Sequence, residues 1–97
     1  MPVYILKKSK RKGKRLMLTK DKIIHFGSDV GKTFIDHGDD KKKKAWIARH
    51  KGDKGYNDKD MGIYYSRHLL WGDNDNIFAN INALNKKDDI HIKFVNS

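Results

Sequence analysis

Five histidines are the side chains of this chain best suited to bind a metal ion or to transfer a proton, and they are His25, His37, His50, His68 and His91. A helix usually presents two metal ligands from positions three or four residues apart. No two of these histidines have that spacing, so a metal site would need several elements to converge and aspartate to complete it. We therefore expect the histidines at the surface or at hydrogen-bonded ends of elements, and we predict no metal site.

The remaining reactive side chains do not form a catalytic pattern. Ser66 lies two residues before His68, and positions two apart on a helix point in different directions. The segment 27–33 ends in Gly-Lys-Thr, but three residues separate its glycines, whereas a phosphate-binding loop has four. We expect a protein that is not an enzyme, that has no catalytic residues and that needs no cofactor.

The net charge of +10 is concentrated at one end of the chain. Residues 1–22 contain nine lysines or arginines and one aspartate, whereas the remainder is nearly balanced. Most of the 22 basic residues are lysines, which act as flexible point charges, while arginine gives planar, bidentate recognition. This distribution predicts one face that binds phosphates or acidic protein and does not read specific bases.

Two groups of cations are the candidate anion-binding or partner-binding residues, one around the first predicted hairpin and one at the start of a predicted helix. They are Lys7, Lys8, Lys10, Arg11, Lys12, Lys14, Arg15, Lys41, Lys42, Lys43 and Lys44. Alternatively, the first group could only protect a sheet edge from aggregation. The second group opposes the helix dipole, a cost that Asp36, Asp39 and Asp40 or a partner's phosphate would relieve. Those aspartates could instead bind Mg²⁺, but aspartates before a helix are more often caps.

Aromatic residues interleaved with basic ones are typical of proteins that stack the bases of single-stranded nucleic acid. The candidates here are Trp46, Tyr56, Tyr64, Tyr65 and Trp71. Most of them lie in predicted helices beside aliphatic residues, so we expect them mainly in the core.

The composition excludes several classes of protein. The chain has no cysteine, which excludes disulfides and thiolate metal sites. No apolar run approaches the roughly 20 residues that a membrane span needs, and the first residues, MPVYILKK, lack the order of a signal peptide. We expect no transmembrane segment, and the sequence leaves the oligomeric state open.

Residues 1–27 are predicted to form a basic β-meander. Val3–Lys8, Lys14–Thr19 and Lys22–Phe26 are short strand-like runs separated by polar turns, and Gly27 is expected to end the third strand. The basic residues then surround the tip of the first hairpin. The following residues, 28–38, have the composition of a loop.

The segment 39–85 is predicted to be helical. A first helix begins after Asp39 or Asp40 and continues to about His50, and a loop covers 52–60. A second helix covers 61–71, and the side chains expected on its apolar face are Ile63, Arg67, Leu70 and Trp71. A third helix begins after Asp73 or Asp75 with an apolar stripe formed by Ile77, Phe78, Ile81 and Leu84.

The C-terminal segment 89–95 alternates apolar and polar residues and is predicted to be a strand that returns to the N-terminal sheet. Strands, then helices, then one strand is the order of an α+β fold. We therefore expect one domain, 1–97, in which a small antiparallel sheet packs against two or three short helices.

Ten residues in the middle of the chain follow the pattern of a viral protein family, and they are His25, Phe26, Gly27, His37, Arg49, His50, Ser66, Arg67, Leu70 and Trp71. Over roughly residues 22–84 the chain resembles small basic proteins encoded by nucleocytoplasmic large DNA viruses of algae and amoebae. Members commonly have tryptophan near the position of Tyr56, and many have Asn-Lys-Pro where this chain has Gly72-Asp73. The resemblance implies a virus-encoded protein packaged in the virion, and it implies no catalytic residue.

Two main hypotheses follow. The first is a non-enzymatic virion component, a minor structural protein beside the capsid units, located in the virion and in the cytoplasm of the infected host cell. Its basic hairpin would contact acidic protein, nucleic acid or the inner membrane surface. The alternative is a DNA- or RNA-binding protein without sequence preference. A small host-interaction or scaffold protein with no charged polymer as its partner is a third possibility.

Overall fold

The structure, a computed structural model, describes residues 1–95 as a four-stranded sheet with helices packed on it. Positions 96 and 97, which the predicted domain 1–97 includes, lie outside the described residues. The elements in chain order are β1 Val3–Lys8, β2 Lys14–Thr19, β3 Ile23–Ser28, α1 Phe34–His37, α2 Asp40–His50, α3 Gly62–Tyr65 with a π-helical continuation Ser66–Leu70, α4 Ile77–Asp88 and β4 His91–Phe94.

The first three strands form the predicted antiparallel meander, in which β2 pairs with β1 on one side and with β3 on the other. The predicted bounds of β1 and β2 are confirmed. The prediction that Gly27 ends the third strand is wrong, because β3 continues to Ser28. Gly27 has a φ of 76°, which glycine adopts without steric penalty. A Cβ at this position would also lie 2.6 Å from the side chain of Leu70.

The predicted C-terminal strand is present and returns to the sheet, whose order is β3-β2-β1-β4. β4 pairs with β1 in the parallel direction, so the sheet is mixed and not entirely antiparallel. Parallel neighbours need a long crossover connection, and here the helical part of the chain supplies it. Since β2 already occupies one edge of β1, the returning strand takes the other edge.

One hydrophobic core joins the sheet to the helices, which confirms the α+β prediction. Its members alternate along the strands and cover one face of the sheet, where they meet residues of α3, its π-helical continuation and α4. The buried set is Leu6, Leu16, Leu18, Ile24, Phe26, Tyr64, Tyr65, Leu69, Leu70, Ile81, Leu84, Ile90 and Ile92.

The predicted loop 28–38 contains a short helix, α1, that the sequence analysis did not predict. Thr33 caps it, and the carboxylate of Asp36 accepts hydrogen bonds from the backbone N and the hydroxyl of Thr33 at 2.8 and 3.0 Å. Four residues are too few to produce a periodic apolar pattern, so only this capping box marks the helix in the sequence.

The helix predicted to begin after Asp39 or Asp40 is confirmed as α2, with Asp39 as its cap. The carboxylate of Asp39 accepts hydrogen bonds from the backbone N atoms of Lys41 and Lys42 at 3.0 and 3.3 Å. None of the residues Asp40–His50 is buried by the described part of the chain. This helix therefore depends on a few contacts made by partly buried side chains.

The second predicted helix is present, but its second half, Ser66–Leu70, is a π-helix, as the hydrogen bond of 2.9 Å from the backbone N of Trp71 to the oxygen of Ser66 shows. The wider turn changes which side chains face the core. The face predicted at α-helical spacing is confirmed at Leu70, which is buried, and in part at Trp71, which packs against the core, and it is wrong at Ile63 and Arg67. Ile63, Arg67 and Trp71 are only partly buried, whereas the side chains that enter the core are Tyr64, Tyr65, Leu69 and Leu70.

The third predicted helix is α4, and its cap is Asn76 and not Asp73 or Asp75. Phe78, predicted in the apolar stripe, is 62% exposed, while Asn80 is buried. The Asn80 amide N donates to the backbone oxygens of Leu69 and Asn74 at 3.0 and 2.9 Å. The burial of this amide is tolerated because the amide is hydrogen-bonded to backbone oxygens close to the end of the π-helix.

Arg15 connects the sheet to α1. Its guanidinium donates to both carboxylate oxygens of Asp36 at 2.7 and 2.9 Å and to the hydroxyl of Thr33 at 3.2 Å. The hydrogen bonds from Arg15, opposed by burial, hold the pKa of Asp36 well below its usual value. The pair therefore stays ionised over the whole neutral and mildly acidic range.

We predict that Asp36→Asn lowers the free energy of unfolding by about 1–3 kcal/mol at pH 7, since asparagine keeps the size but loses the charged bonds and the helix cap. The two side chains are 28% and 25% exposed, so solvent screening favours the lower half of that range. Because the folded pKa is depressed, the stabilisation is complete above the unfolded value of about 4 and is lost as the pH falls below it. Urea unfolding at pH 7, 4 and 2.5 measures this.

The matched control is Asp29→Asn, which changes an exposed aspartate in the neighbouring loop. It should alter stability by less than about 0.5 kcal/mol. A difference between wild type and Asp36→Asn that stays constant from pH 7 to pH 2.5 would show that the charge of Asp36 is not the stabilising element.

Candidate functional site

The cations of the first hairpin border a groove of about 590 Å³ at the end of the sheet. We call it the hairpin groove, and its basic lining residues are Lys8, Lys10, Arg11, Lys12, Lys14, Arg15 and Lys32. All of them except Arg15 are exposed. The structure therefore brings together most of the first predicted group of cations and adds Lys32, which the sequence analysis did not select.

Backbone hydrogen bonds fix the hairpin tip that carries these cations. The backbone N of Ser9 donates to Arg15 at 3.1 Å, and that of Lys14 donates to Arg11 at 3.1 Å. The hydroxyl of Ser9 accepts from the backbone N of Arg11 at 3.0 Å. Gly13 completes the turn with a φ of 85°. The charges are therefore presented from an ordered turn.

Not every predicted cation points to the groove. Arg15 is held by Asp36 as described above, and Lys7 lies on the opposite face of the sheet from Leu6 by strand alternation. In α2, the Nζ of Lys43 lies 4.2 Å from the ring centre of Phe34 and donates to the oxygen of Gly72 at 3.4 Å. The remaining lysines of that group, Lys41, Lys42 and Lys44, are exposed.

A second groove of about 540 Å³ adjoins the first, and the two share Lys14, Ser28, Gly31 and Lys32. We call it the aromatic groove because Trp46 and Trp71 line it together with His50. Apolar side chains, among them Phe26, Met61, Ile63 and Leu70, form much of the remaining wall, and Lys54 adds a further cation. Apolar walls beside cations suit a ligand that is flat and apolar in one part and anionic in another.

Four rings form a continuous cluster beside this groove. Trp46 and Trp71 stack with centroids 5.3 Å apart and planes inclined by 12°. His50 lies 4.5 Å from Trp46, and its Nδ1 is 2.7 Å from a carboxylate oxygen of Asp53. His37 meets Trp71 edge-on at 5.5 Å. Both tryptophans are partly exposed, so this cluster holds α2 to the π-helix and still borders solvent.

His37 has one ring nitrogen in an unusual position. Its Nδ1 accepts from the backbone N of Asp39 at 2.9 Å, which assigns the proton to Nε2. That Nε2 is buried and has no hydrogen-bond partner among residues 1–95. The ring of Trp71 lies nearby, with its centroid 5.5 Å from that of His37 and the two planes inclined by 61°.

A third, smaller groove of about 390 Å³ is lined by Lys32, His37, Lys42, Ala45, Arg49 and Trp71. Lys32 therefore borders all three grooves, and Trp71 lines both the second and the third. A loop lysine has no periodic pattern around it, so sequence reasoning had no signal for its position.

Most of the residues that carry the viral resemblance converge around Trp71. Those that line the aromatic groove are His25, Phe26, Gly27, His50, Ser66, Leu70 and Trp71, and those on the third groove are His37 and Arg49. Arg67 has a structural role, since it donates to the hydroxyl of Tyr56 at 3.1 Å and to the oxygen of Trp71 at 2.8 Å. Tyr64 and Tyr65 are in the core, as the sequence analysis expected.

Positive charges of the hairpin contribute to the pKa of His25. Its Nδ1 lies 2.7 Å from the hydroxyl of Ser9. Desolvation lowers the pKa of His25, and the positive charges of Arg11 and Lys14 lower it further. The imidazole is therefore a sensor of the potential around the hairpin, because any anion bound there would oppose this effect.

Among residues 1–95, no cluster of three or more histidines and acidic residues is arranged to hold a metal ion. Within the same residues, no helix has the length and apolar character needed to span a membrane.

We predict that Lys14→Gln raises the pKa of His25 towards its ordinary value of about 6.5, because one of the positive charges that lower it is removed. An NMR titration of the imidazole ring signals measures the change. The matched control is Lys22→Gln, an exposed lysine that does not contribute to the shift. If both variants titrated like the wild type, the hairpin charges would not determine the potential at His25.

Part of the chain is similar to one protein family. The chain matches a family described as "Family of unknown function (DUF5754)" over residues 4–50. The matched segment contains β1 to β3, α1 and α2 and ends at His50, so it includes the hairpin cations and Trp46 but not Trp71. Neither the curated proteins nor the solved structures include a significant match.

Proposed function

We propose that this protein binds nucleic acid through the hairpin groove, without sequence preference and without catalysing a reaction. The observation that carries the proposal is the convergence of six exposed cations on one groove, namely Lys8, Lys10, Arg11, Lys12, Lys14 and Lys32. Phosphate contacts of this kind supply most of the affinity in non-specific binding to nucleic acid.

The acidic residues near the groove do little to cancel this charge. Asp29 and Asp36 are its acidic lining residues, and Asp36 is already paired with Arg15. The positive charge of the six exposed cations therefore exceeds the negative charge beside them. A concave surface with one sign of charge attracts polyanions and raises their rate of association.

The type of cation supports binding without sequence preference. Five of the six are lysines, and lysine contacts phosphate as a flexible point charge. Recognition of specific bases in the major groove of DNA depends largely on side chains that form bidentate hydrogen bonds, such as arginine. The guanidinium of Arg15, the other arginine that lines this groove, is already hydrogen-bonded to Asp36.

A second candidate function is a minor structural component of a virion, beside capsid proteins and in the cytoplasm of an infected cell. The viral resemblance supports it, and so does the face of the sheet opposite the core. Strand alternation places Val3 and Ile23 on that face, and they are 57% and 55% exposed. Apolar side chains exposed on one sheet face suit contact with another capsid protein.

We predict that replacing Lys10, Arg11, Lys12 and Lys14 together with glutamine weakens DNA binding roughly tenfold or more in 50 mM salt. The slope of log affinity against log salt concentration should also fall by roughly 3, because each phosphate that is no longer neutralised lowers it by about 0.7–0.9. Fluorescence anisotropy with labelled DNA at several salt concentrations measures both quantities. Arg15 is left unchanged because it stabilises the fold.

The matched control replaces four exposed lysines outside the groove, Lys22, Lys51, Lys86 and Lys93, which removes the same net charge. A specific hairpin site predicts a much smaller decrease in affinity for this variant. Equal decreases would indicate attraction by net charge alone, and an unchanged affinity in the hairpin variant would place the binding surface elsewhere.

For the second candidate, we predict that the protein is present in purified virions at a fixed copy number relative to the major capsid protein. Quantitative mass spectrometry of particles, before and after a high-salt wash, measures this. Absence from the particles would remove the structural role and would leave nucleic-acid binding in the infected cell unaffected.

A further inference from the structure

The aromatic groove has features that phosphate binding does not explain. Trp46 and Trp71 are the two tryptophans of the chain, and both are partly exposed beside a groove that also contains Lys14, Lys32 and Lys54. This groove is continuous with the hairpin groove through Lys14, Ser28, Gly31 and Lys32.

The contact between the two indoles has a structural reason, since the stack tethers α2, which contributes no buried residue within 40–50. That reason accounts for the contact of the rings with each other. It does not account for the cations that surround them, because a tether would be stabilised equally well by apolar or uncharged neighbours.

We infer that the aromatic groove is a base-stacking subsite for single-stranded nucleic acid. An unpaired base packs against the exposed parts of the Trp46 and Trp71 rings that line the groove, and the phosphates on either side of it lie along Lys14 and Lys32 towards the hairpin. The inference rests on the proposed function, and it identifies the form of nucleic acid that the protein binds.

The size and composition of the groove fit this ligand. Its volume of about 540 Å³ lies within the range of roughly 300–1,000 Å³ that is typical of sites for small organic ligands. Phe26 and Leu70 supply apolar wall deep in the groove, and the lysines lie on its exposed parts. Stacking on aromatic side chains is tolerant of sequence, because every base has a π face.

Duplex nucleic acid fits less well for a physical reason. Bases in a duplex are stacked on each other and would have to be extruded to reach the indoles, which costs a few kcal/mol. A single strand can offer a base to the groove and phosphates to the hairpin at the same time. The arrangement therefore predicts a preference for unpaired strands.

The test compares four ligands of matched length on the intact protein: a 12-residue deoxythymidine strand, a 12-residue uridine strand, a 12-residue abasic phosphodiester strand and a 12-base-pair duplex. Both base-containing strands should bind on the order of 5- to 100-fold more tightly than the abasic strand, which has the same charge. They should also bind more tightly than the duplex and change the tryptophan emission, which the abasic strand should not. The ratio between the two base-containing strands distinguishes DNA from RNA.

A variant tests the tryptophan directly. Trp71→Leu keeps an apolar side chain against Trp46 but removes the aromatic ring, so it should lose most of the preference for the base-containing strands while its affinity for the abasic strand stays the same. The control is Phe78→Leu, since Phe78 is an aromatic residue that is 62% exposed and does not line the groove. Circular dichroism of both variants verifies that they are folded.

The outcomes separate the two proposals. Equal affinity for abasic and base-containing strands with unchanged emission would refute the stacking subsite and leave phosphate binding by the hairpin intact. Binding of none of the four ligands would refute the proposed function itself. A preference for bases that Trp71→Leu retains in full would refute the assignment of the subsite to the tryptophan pair.

Discussion

The two hydrogen bonds between Arg15 and Asp36 are the interaction on which the arrangement of the grooves depends. They join the sheet to α1, and the same carboxylate caps the helix at Thr33. The loop between β3 and α1 is thereby fixed at both ends, and Lys32 in this loop borders all three grooves. A partly exposed ion pair contributes little net energy, so its main effect is the single orientation that two parallel bonds impose.

The same pairing shapes the charge of the surface. A strongly basic chain does not by itself produce a basic site, because twelve aspartates are distributed along it. At the grooves, Asp36 is held by Arg15, and Asp53 is hydrogen-bonded to His50. Two carboxylates that would oppose a bound phosphate are thus already engaged, while the lysines around them stay exposed. The lysines that line the two grooves therefore outnumber the aspartates that line them.

The parts of the fold that the sequence predicted correctly are those with local patterns. The strands β1 and β2 alternate, and Asp39 precedes α2 as a cap, so both could be found from neighbouring residues. The π-helix after Tyr65 has no such pattern. It is accompanied by Gly72, where a Cβ would clash with the backbone oxygen of His68, and by the buried amide of Asn80. The contact of Asn80 with Leu69 joins two separate helices that only the folded structure brings together.

The candidate site also contains residues that local sequence patterns predict and residues that they do not. The hairpin cations could be predicted because they are close in sequence and surround one turn. Trp46 and Trp71 could be selected by type, but they were expected mainly in the core, because they lie in predicted helices beside aliphatic residues. The π-helix turns Trp71 to a position where it stacks on Trp46 at the edge of a groove. No local pattern connects two residues on separate helices whose contact depends on that irregular turn.

Because α2 is weakly buried, a ligand bound in the aromatic groove would change how stably this helix docks on the rest of the fold. Helices in proteins are stabilised mainly by packing of one face, and α2 packs through the tryptophan stack and the contact of Lys43 with Phe34. The groove is lined by His50 from this helix, Lys14 from the sheet and Ser66 from the π-helix. A strand bound there would contact all three elements at once, and it would stabilise only conformations in which α2 is docked. Binding and the docking of α2 would therefore be coupled, since each would make the other more favourable.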